Sequence, residues 1–438
     1  MTWIASALSD EDHAVAAEGT IEETSREGSP YRLRLVAHDP AAYAAFYNVV
    51  ANPTLWFLQH SLLDQLAEPT LGAAFEEAWD EGYAAVNAAF AHAVLDELER
   101  QPDAAVFFQD YHLYLAPRLV RERAPAAAML HFVHIPWQEP AAWLALPERV
   151  RVAIHDGLLA NDVVGLHTER WRRAFLDCCE AFLDARVEAG SVEHDGRATR
   201  VTAHPISLDP AEFRALAASG AVLEAERRLV AERPELLVLR VDRTDPSKNV
   251  VRGFRAYELF LERHPEYHGR VQMLALLDPS RQDIPEYVEH AAAIDRAARA
   301  VNERFGRDGW EPVGLRVEDD FAASVAAYKQ YDVLLVNAVF DGLNLVAKEA
   351  PLVNERDGVL LLSENAGAHA ELGAWAVSVD PFDVEGQARA LYEALTMPPE
   401  ERHRRLEGIR AQVVEHDLAA WLATQLADLD LATSTIGA

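Results

Sequence analysis

The chain has 438 residues, with 40 Lys plus Arg against 71 Asp plus Glu, a formal net charge of −31 at pH 7. That length exceeds one ordinary core and predicts two domains, and half of the residues are hydrophobic, enough to fill both. A field of this sign excludes nucleic acid and anionic membrane as partners, and no apolar run reaches the ~18 residues a membrane span needs. The start, MTWIASALSDEDHAV, lacks the basic region of a signal peptide. Residues 1–40 are mixed, with an acidic, polar stretch at 18–30 before a strand at 31–36. Residues 39–66 are helical in pattern and rich in aromatics, FYNVVANPTLWFLQHSLLD, and 75–100 is a long alanine-rich amphipathic helix. Strands follow at 104–109, 127–133, 162–166 and 201–206, with helices at 113–123, 147–159 and 170–183 between them. The two cysteines, Cys178 and Cys179, are neighbours in the last of these helices. They cannot build a four-ligand metal site and predict a reducing, cytoplasmic setting.

The second half is more regular. A strand at 236–241 ends in a loop carrying Arg243, Asp245, Pro246 and Lys248, and a helix follows with Phe254, Tyr257, Phe260 and Leu261 on one face. A strand at 271–277 then breaks at Asp278-Pro279-Ser280-Arg281. Next come a helix at 284–305, a strand at 312–315 and a helix at 321–330. The strand at 332–337 leads into FDGLNLVAKEA, the strand at 358–363 into ENAGAHAEL, and a strand at 376–379 precedes helices at 384–395 and 399–415. Such alternation predicts an α/β protein of two doubly wound, Rossmann-like parallel-sheet domains facing each other across a cleft. The expected boundaries are 1–220 and 221–415, with a linker at 206–221. Residues 416–438, with a helix at 421–431, are expected to pack back on the first domain.

Ligands of open α/β sheets collect outside the carboxyl ends of the strands. Arg243, Lys248 and Arg281 all follow strands and are expected to converge on one crevice, a site for phosphate. Arg243 offers a fork and Lys248 a point charge, both within reach of one diphosphate. DGLNLVAKE reads as a loop entering a helix N-terminus, whose amides favour anions and hydroxyl ligands. Glu349 is placed to accept two ribose hydroxyls. The first domain offers Asp110 and His134 at strand ends. Singly, each residue also fits an ordinary role: surface cations for Arg243 and Lys248, a solvated glutamate for Glu349, a structural histidine for His134, a helix cap for Asp110, core or interdomain packing for Tyr47 and Trp56. There is no P-loop, no Rossmann glycine triplet, no hydrolase elbow and no clear metal cluster.

The ordered set FYNVVANPTLWFLQH, QDYHLYLAPRLVRER, HFVHIPW, GLHTERWRRAFLDCC, VDRTDPSKN, DPSR, VNERFG, DGLNLVAKE, LLSENAGA and VDPFDVE resembles the trehalose-6-phosphate synthase family, glycosyltransferase family 20, from Trp3 to about Leu429. The resemblance implies a retaining glycosyltransferase of the GT-B fold. A nucleoside-diphosphate-sugar donor would be held mainly by the second domain and a sugar-phosphate acceptor mainly by the first. It implies that Arg243 and Lys248 hold the donor diphosphate, that Glu349 takes the ribose, and that the loop Asp341, Gly342, Leu343, Asn344, Leu345, Val346 lies against the donor sugar. Tyr47, Trp56 and Arg281 match acceptor-gripping positions, and Asp110 and His134 match polar groups beside the reacting carbons, Asp110 also on the acceptor. Retention without a carboxylate nucleophile can use the leaving phosphate as base, which implies no metal and no cofactor. A homo-oligomer is left open.

Three departures from the family pattern stand out. Family members open with a strand ending in Ser-Asn-Arg and a Gly-Gly loop, which implies that this sequence starts downstream of both. Ser6 stands where a tryptophan is usual. Arg-Leu-Asp-Tyr has become Arg243-Thr244-Asp245-Pro246, and Phe340 replaces an arginine before the DG loop. Such changes also resemble the validoxylamine-phosphate synthases, pseudoglycosyltransferases that couple cyclitols through nitrogen. The alternatives are therefore that activity or a non-catalytic sugar-phosphate-binding protein. The base of the donor and the identity of the acceptor are not readable.

Overall fold

Apolar runs bounded by turn residues become parallel strands in a computed structural model that describes residues 1–25, 28–65, 71–307 and 309–434. The chain divides into two compact units. The first comprises Met1–Gln59, Leu66–Ala203 and Gln425–Ala438, the second His60–Gln65 and His204–Thr424.

The first unit opens with a three-stranded sheet of β1 (Thr2–Ser6), β2 (Thr20–Thr24) and β3 (Pro30–Val36), in which β3 pairs in parallel with β1 and antiparallel with β2. Its main sheet holds β4 (Val106–Gln109), β5 (Met129–Phe132), β6 (Val163–Leu166), β7 (Arg186–Glu188), β8 (Ser191–His194) and β9 (Arg197–Ala203), in the order β4-β5-β6-β9-β8-β7. Strands β5 and β6 are buried throughout, as strands covered on both faces must be. The expected strand at 201–206 is β9, shifted towards the N-terminus because it pairs antiparallel with a β7–β8 hairpin. Both hairpin turns take two residues with positive φ, Ala189 (47°) with Gly190 (85°) and Asp195 (50°) with Gly196 (74°). The aromatic stretch is helical through Gln59, but over Phe46–Trp56 its pairing widens to i→i+5 around Pro53. Asn52 Nδ2 and Thr54 Oγ1 donate to the carbonyls of Tyr47 and Val49, five residues back, at 3.0 and 2.8 Å. The last residue of that expected helix, 66, lies outside the described residues.

The second unit carries one wholly parallel sheet: β10 (Leu236–Arg243), β11 (Val271–Asp278), β12 (Val313–Val317), β13 (Val333–Val336), β14 (Val359–Ser363) and β15 (Val377–Val379). Their order is β12-β11-β10-β13-β14-β15, so successive strands run outward one way from β10 and the other way from β13. The gap between the carboxyl ends of β10 and β13 is the topological switch point, where doubly wound sheets bind ligands. The stretch expected as linker, 206–221, instead carries a helix, Pro210–Ala217, capped by Asp209 through the N–H groups of Ala211 and Glu212. Within the first unit, Arg200 Nε of β9 lies 2.9 Å from Oδ1 of Asp428 in the C-terminal piece.

The strands expected to begin at 162 and 332 start one residue later, because each aspartate is spent on a neighbouring strand. Asp162 accepts the N–H of Met129 at 2.8 Å and pairs with Arg121 and Arg197 at 3.0 and 2.7 Å. Asp332 accepts the N–H of Leu237 at 2.9 Å and pairs with Arg233 at 2.5 Å. Both carboxylates are buried. Asp332→Ala strands the buried Arg233, so it should cost the second unit about 3 kcal/mol in chemical denaturation, whereas a surface control such as Asp430→Ala should change little.

Candidate active site

At the end of β10, Arg243 sits opposite Asp278 of β11, and the chain turns through Pro246–Lys248 into the helix Val250–Arg263. Asn249 holds that turn with a φ of 60°, its Nδ2 donating to the carbonyls of Asn337 and Pro381 at 2.9 and 2.8 Å. Arg240, inside β10 and 0% exposed, ties the same turn down. It pairs with Asp242 at 2.7 Å and donates to the carbonyl of Lys248 at 2.9 Å.

Around this turn lies a cavity of about 240 Å³. Arg243, Lys248, Asn344, Leu345, Val346 and Glu349 line it, so the structure gathers six of the nine residues expected at a donor site. Of the other three, Asp341 touches Lys248 (Oδ2 to Nζ, 2.5 Å), while Gly342 and Leu343 form the buried floor of the loop. Burial alone would lower the Lys248 ammonium and raise the Asp341 carboxyl. The ion pair overrides it on both sides: Lys248 is held above its usual value by Asp341 and Asp242, and Asp341 below by Lys248, His60 and Asn344. Glu349 goes the other way, raised by burial against the opposing bond from the Tyr328 hydroxyl at 3.4 Å.

The crevice is not the purely cationic cradle that the sequence suggests. Asp242, Asp278, Asp319 and Glu349 line it too. Burial and the nearby Asp319 raise the Asp278 carboxyl, with Arg243 opposing. Each cation thus has a carboxylate beside it, a necessity where charges leave water.

The loop after β13 is laced to the loop after β14, and sequence reasoning missed this support. Asp341 N–H donates to the carbonyl of Asn365 (3.2 Å), Gly367 N–H to that of Asp341 (3.0 Å), and Ala368 N–H to that of Leu343 (2.8 Å). A Cβ on Gly367 would lie 1.9 Å from the Gly342 carbonyl oxygen, so only glycine allows this approach. The run ENAGA, with its lone glycine after a strand, was the available signal.

Arg281 follows β11 with its side chain 10% exposed, its guanidinium donating to the Tyr287 hydroxyl at 2.5 Å. In the first unit, Asp110 and His134 come together at the carboxyl ends of β4 and β5. Asp110 does not cap the following turn; its Oδ1 accepts the N–H of His134 at 3.1 Å. His134 Nε2 is 2.8 Å from Gln109 Oε1, and burial lowers its pKa, with Asp110 opposing. Tyr47 is half-buried and stacks between Tyr43 and His112, centroids 5.9 and 6.2 Å away. Trp56 packs in the core at 2% exposed. Ser6, in the position of the usual tryptophan, meets His38 Nε2 at 3.2 Å, and His38 stacks on Tyr43 at 5.5 Å. A column of rings, His38, Tyr43, Tyr47 and His112, therefore runs on from Ser6.

Among the described residues one trio offers close metal-ligand atoms, Asp156, His194 and Asp195, which the sequence did not bring out. Arg118 pairs with both of its carboxylates, at 3.4 and 3.0 Å, so the group carries its own cation.

Comparison with known proteins decides the family. The profile of Glycosyltransferase family 20 matches residues 1–431. The chain belongs to this family. It is 32% identical to a validamine 7-phosphate valienyltransferase of Streptomyces hygroscopicus subsp. jinggangensis, over 97% of this chain and 85% of that protein. A trehalose-6-phosphate synthase of Mycolicibacterium gilvum is 34% identical over 94% and 81%. The crystal structure of an α,α-trehalose-phosphate synthase (UDP-forming) from Burkholderia xenovorans in complex with glucose-6-phosphate matches with a TM-score of 0.85. The match is 26% identical and covers 98% of this chain and 100% of that one. The resemblance read from the motifs and the GT-B fold it implied are thereby borne out. No helix among the described residues is long and apolar enough to cross a membrane.

Gly367→Ala should displace the Asp341–Leu343 backbone, lower the unfolding midpoint and cut transfer roughly a hundredfold in the protein that remains folded. Gly220→Ala, with nothing within 4 Å of the added Cβ and no positive φ to strain, is the control. Steady-state rates beside thermal melts check this.

Proposed function

We propose that the chain is a retaining glycosyltransferase that moves glucose from a nucleoside-diphosphate glucose to a sugar phosphate, forming α,α-trehalose phosphate. The observation that carries this reading is the switch-point cavity lined by Arg243, Lys248 and Glu349. Arg243 and Lys248 take the diphosphate, Glu349 the ribose hydroxyls, and the loop from Asp341 to Val346 the donor sugar. Arg281 of the second unit is assigned to the acceptor phosphate. Tyr47, Trp56, Asp110 and His134 of the first unit are assigned to the acceptor and the reacting carbons.

In the transfer, the bond from sugar C1 to the diphosphate oxygen breaks and negative charge grows on the leaving phosphate, where Arg243 and Lys248 stabilise it. The acceptor hydroxyl joins C1 on the face the phosphate leaves and passes its proton to that phosphate. No carboxylate nucleophile is required, which suits a cavity where Asp242 is tied to Arg240 and Asp341 to Lys248. The diphosphate charge is met by side chains, so no metal is needed. Cys178 and Cys179 are buried thiols, the first pushed up to about 12 by burial, and suit a reducing cytoplasm.

A second reading, coupling of a nucleotide-linked cyclitol to a phosphorylated aminocyclitol, is favoured by Ser6, Phe340 and the similarity to the valienyltransferase. Acceptor assays separate the two. Release of nucleoside diphosphate from UDP-, GDP- and ADP-glucose should be at least ~100-fold more efficient with glucose 6-phosphate than with glucose, because the phosphate supplies charge-assisted bonds that glucose lacks. Equal efficiency would contradict a phosphorylated acceptor. Preference for validamine 7-phosphate would favour the second reading, and no release with any acceptor would leave a sugar-phosphate-binding protein. EDTA should leave the rate unchanged; loss restored by added divalent metal would overturn the metal-free mechanism.

A further inference from the structure

Thr244 and Asp245 lie between the end of β10 and the Pro246–Lys248 turn, and the reaction described above uses neither. Asp245 is 0% exposed, and its two carboxylate oxygens face different arginines. Oδ2 lies 2.5 Å from Arg243, and Oδ1 lies 3.4 Å from Arg281. The nearer contact is a Coulombic one without an aligned hydrogen bond, since no N–H of Arg243 points at Oδ2. Arg243 is half exposed and keeps its donors for a ligand. The carboxylate is therefore shared between the two cations.

Thr244, 3% exposed, completes the link on the backbone side. Its hydroxyl oxygen accepts the N–H of Ser280 at 3.0 Å, and its own N–H donates to the carbonyl of Asp278 at 2.9 Å. A leucine, the residue expected at this position from the family pattern, would make the second bond and not the first. The loop thus anchored presents Arg281 with a φ of 43°, a conformation disfavoured for a residue with a Cβ. Such a backbone persists only where its surroundings over-determine it. Here the determinants are Asp245, the Ser280 anchor, and Tyr287, whose ring lies 5.2 Å from the guanidinium. His290, on the same helix as Tyr287, brings no third cation. Burial pushes its pKa down to about 4, with Asp245 opposing and Arg240 adding.

We propose that Thr244 and Asp245 brace the acceptor-phosphate arginine to the donor-diphosphate arginine, so that filling one site tightens the other. This rests on the assignment of Arg243 to the donor and Arg281 to the acceptor. A diphosphate on Arg243 competes with Asp245 for that guanidinium. The carboxylate then turns its charge to Arg281, whose contact is the longer of the two. Arg281 is held more firmly in its disfavoured conformation, and an acceptor phosphate meets a preorganised partner. The coupling is reciprocal by linkage. Asp245 is a positioning residue, since it touches arginines and neither substrate.

The test is the dissociation constant of glucose 6-phosphate, measured calorimetrically with and without a saturating nucleoside diphosphate. UDP, GDP and ADP are tried and the tightest is used. In the wild-type chain the nucleotide should tighten glucose 6-phosphate by about 5-fold or more, within the usual range of coupling between sites. In Thr244→Val and Asp245→Asn the factor should fall to about one. Thr244→Val keeps shape and charge, so it decides alone if Asp245→Asn does not fold. A lost role in stability alone would leave the factor intact. Coupling retained in a folded variant, or absent from the wild type while both ligands bind, overturns the brace and leaves the functional reading standing. Failure of the wild type to bind either ligand overturns that reading, and the brace with it.

Discussion

A cation taken out of water must find a carboxylate, and around β10 this requirement shapes the whole donor side. Lys248 leans on Asp341, Arg240 on Asp242, and Arg243 and Arg281 share Asp245. Burying such charges costs more than the pairs return unless geometry and further hydrogen bonds are good. The further bonds are present: Arg240 holds the Lys248 carbonyl, and Asn344 donates to Asp341 at 3.0 Å. The pairs therefore do two things at once. They fix the turn after β10 and the loop after β13, and they leave two cations beside a cavity with partners that an incoming phosphate can replace.

Backbone geometry supplies the rest. The strand order sends the chain outward one way from β10 and the other way from β13, which puts the switch point at their carboxyl ends. The loop after β13 is held by the loop after β14 through backbone bonds, with Gly367 permitting an approach no side chain would. Preorganisation of this kind is what electrostatic catalysis needs, because donors already in place cost no rearrangement as charge develops.

The second unit was the more legible half. Its inner strands β13 and β14 are buried throughout and read as continuous apolar runs, and helices 321–330 and 399–415 fall where periodicity puts them. The errors have physical causes. The β7–β8 hairpin is short and charged, so it carries no apolar signal, although Asp195-Gly196, which joins β8 to β9, is a strong turn pair. Asp209-Pro210 announces a capped helix within the stretch 206–221, but a Pro beside an Asp also reads as a loop. Of the site, the cations and Glu349 were visible because they follow strands. Their pairing with carboxylates was not, since that of Lys248 with Asp341 is a contact across 93 residues that no local pattern encodes. The ring column on Ser6 likewise depends on tertiary packing.

The central claim is that a nucleoside diphosphate docks at the switch point against Arg243 and Lys248. Calorimetric titration of UDP, GDP and ADP tests it without any acceptor or turnover. One of them should bind one-to-one, with Arg243→Ala and Lys248→Ala each weakening it at least about tenfold, the value of one lost charge-assisted contact. Their melting curves should remain cooperative. Nucleotide binding unchanged in both variants would contradict the account.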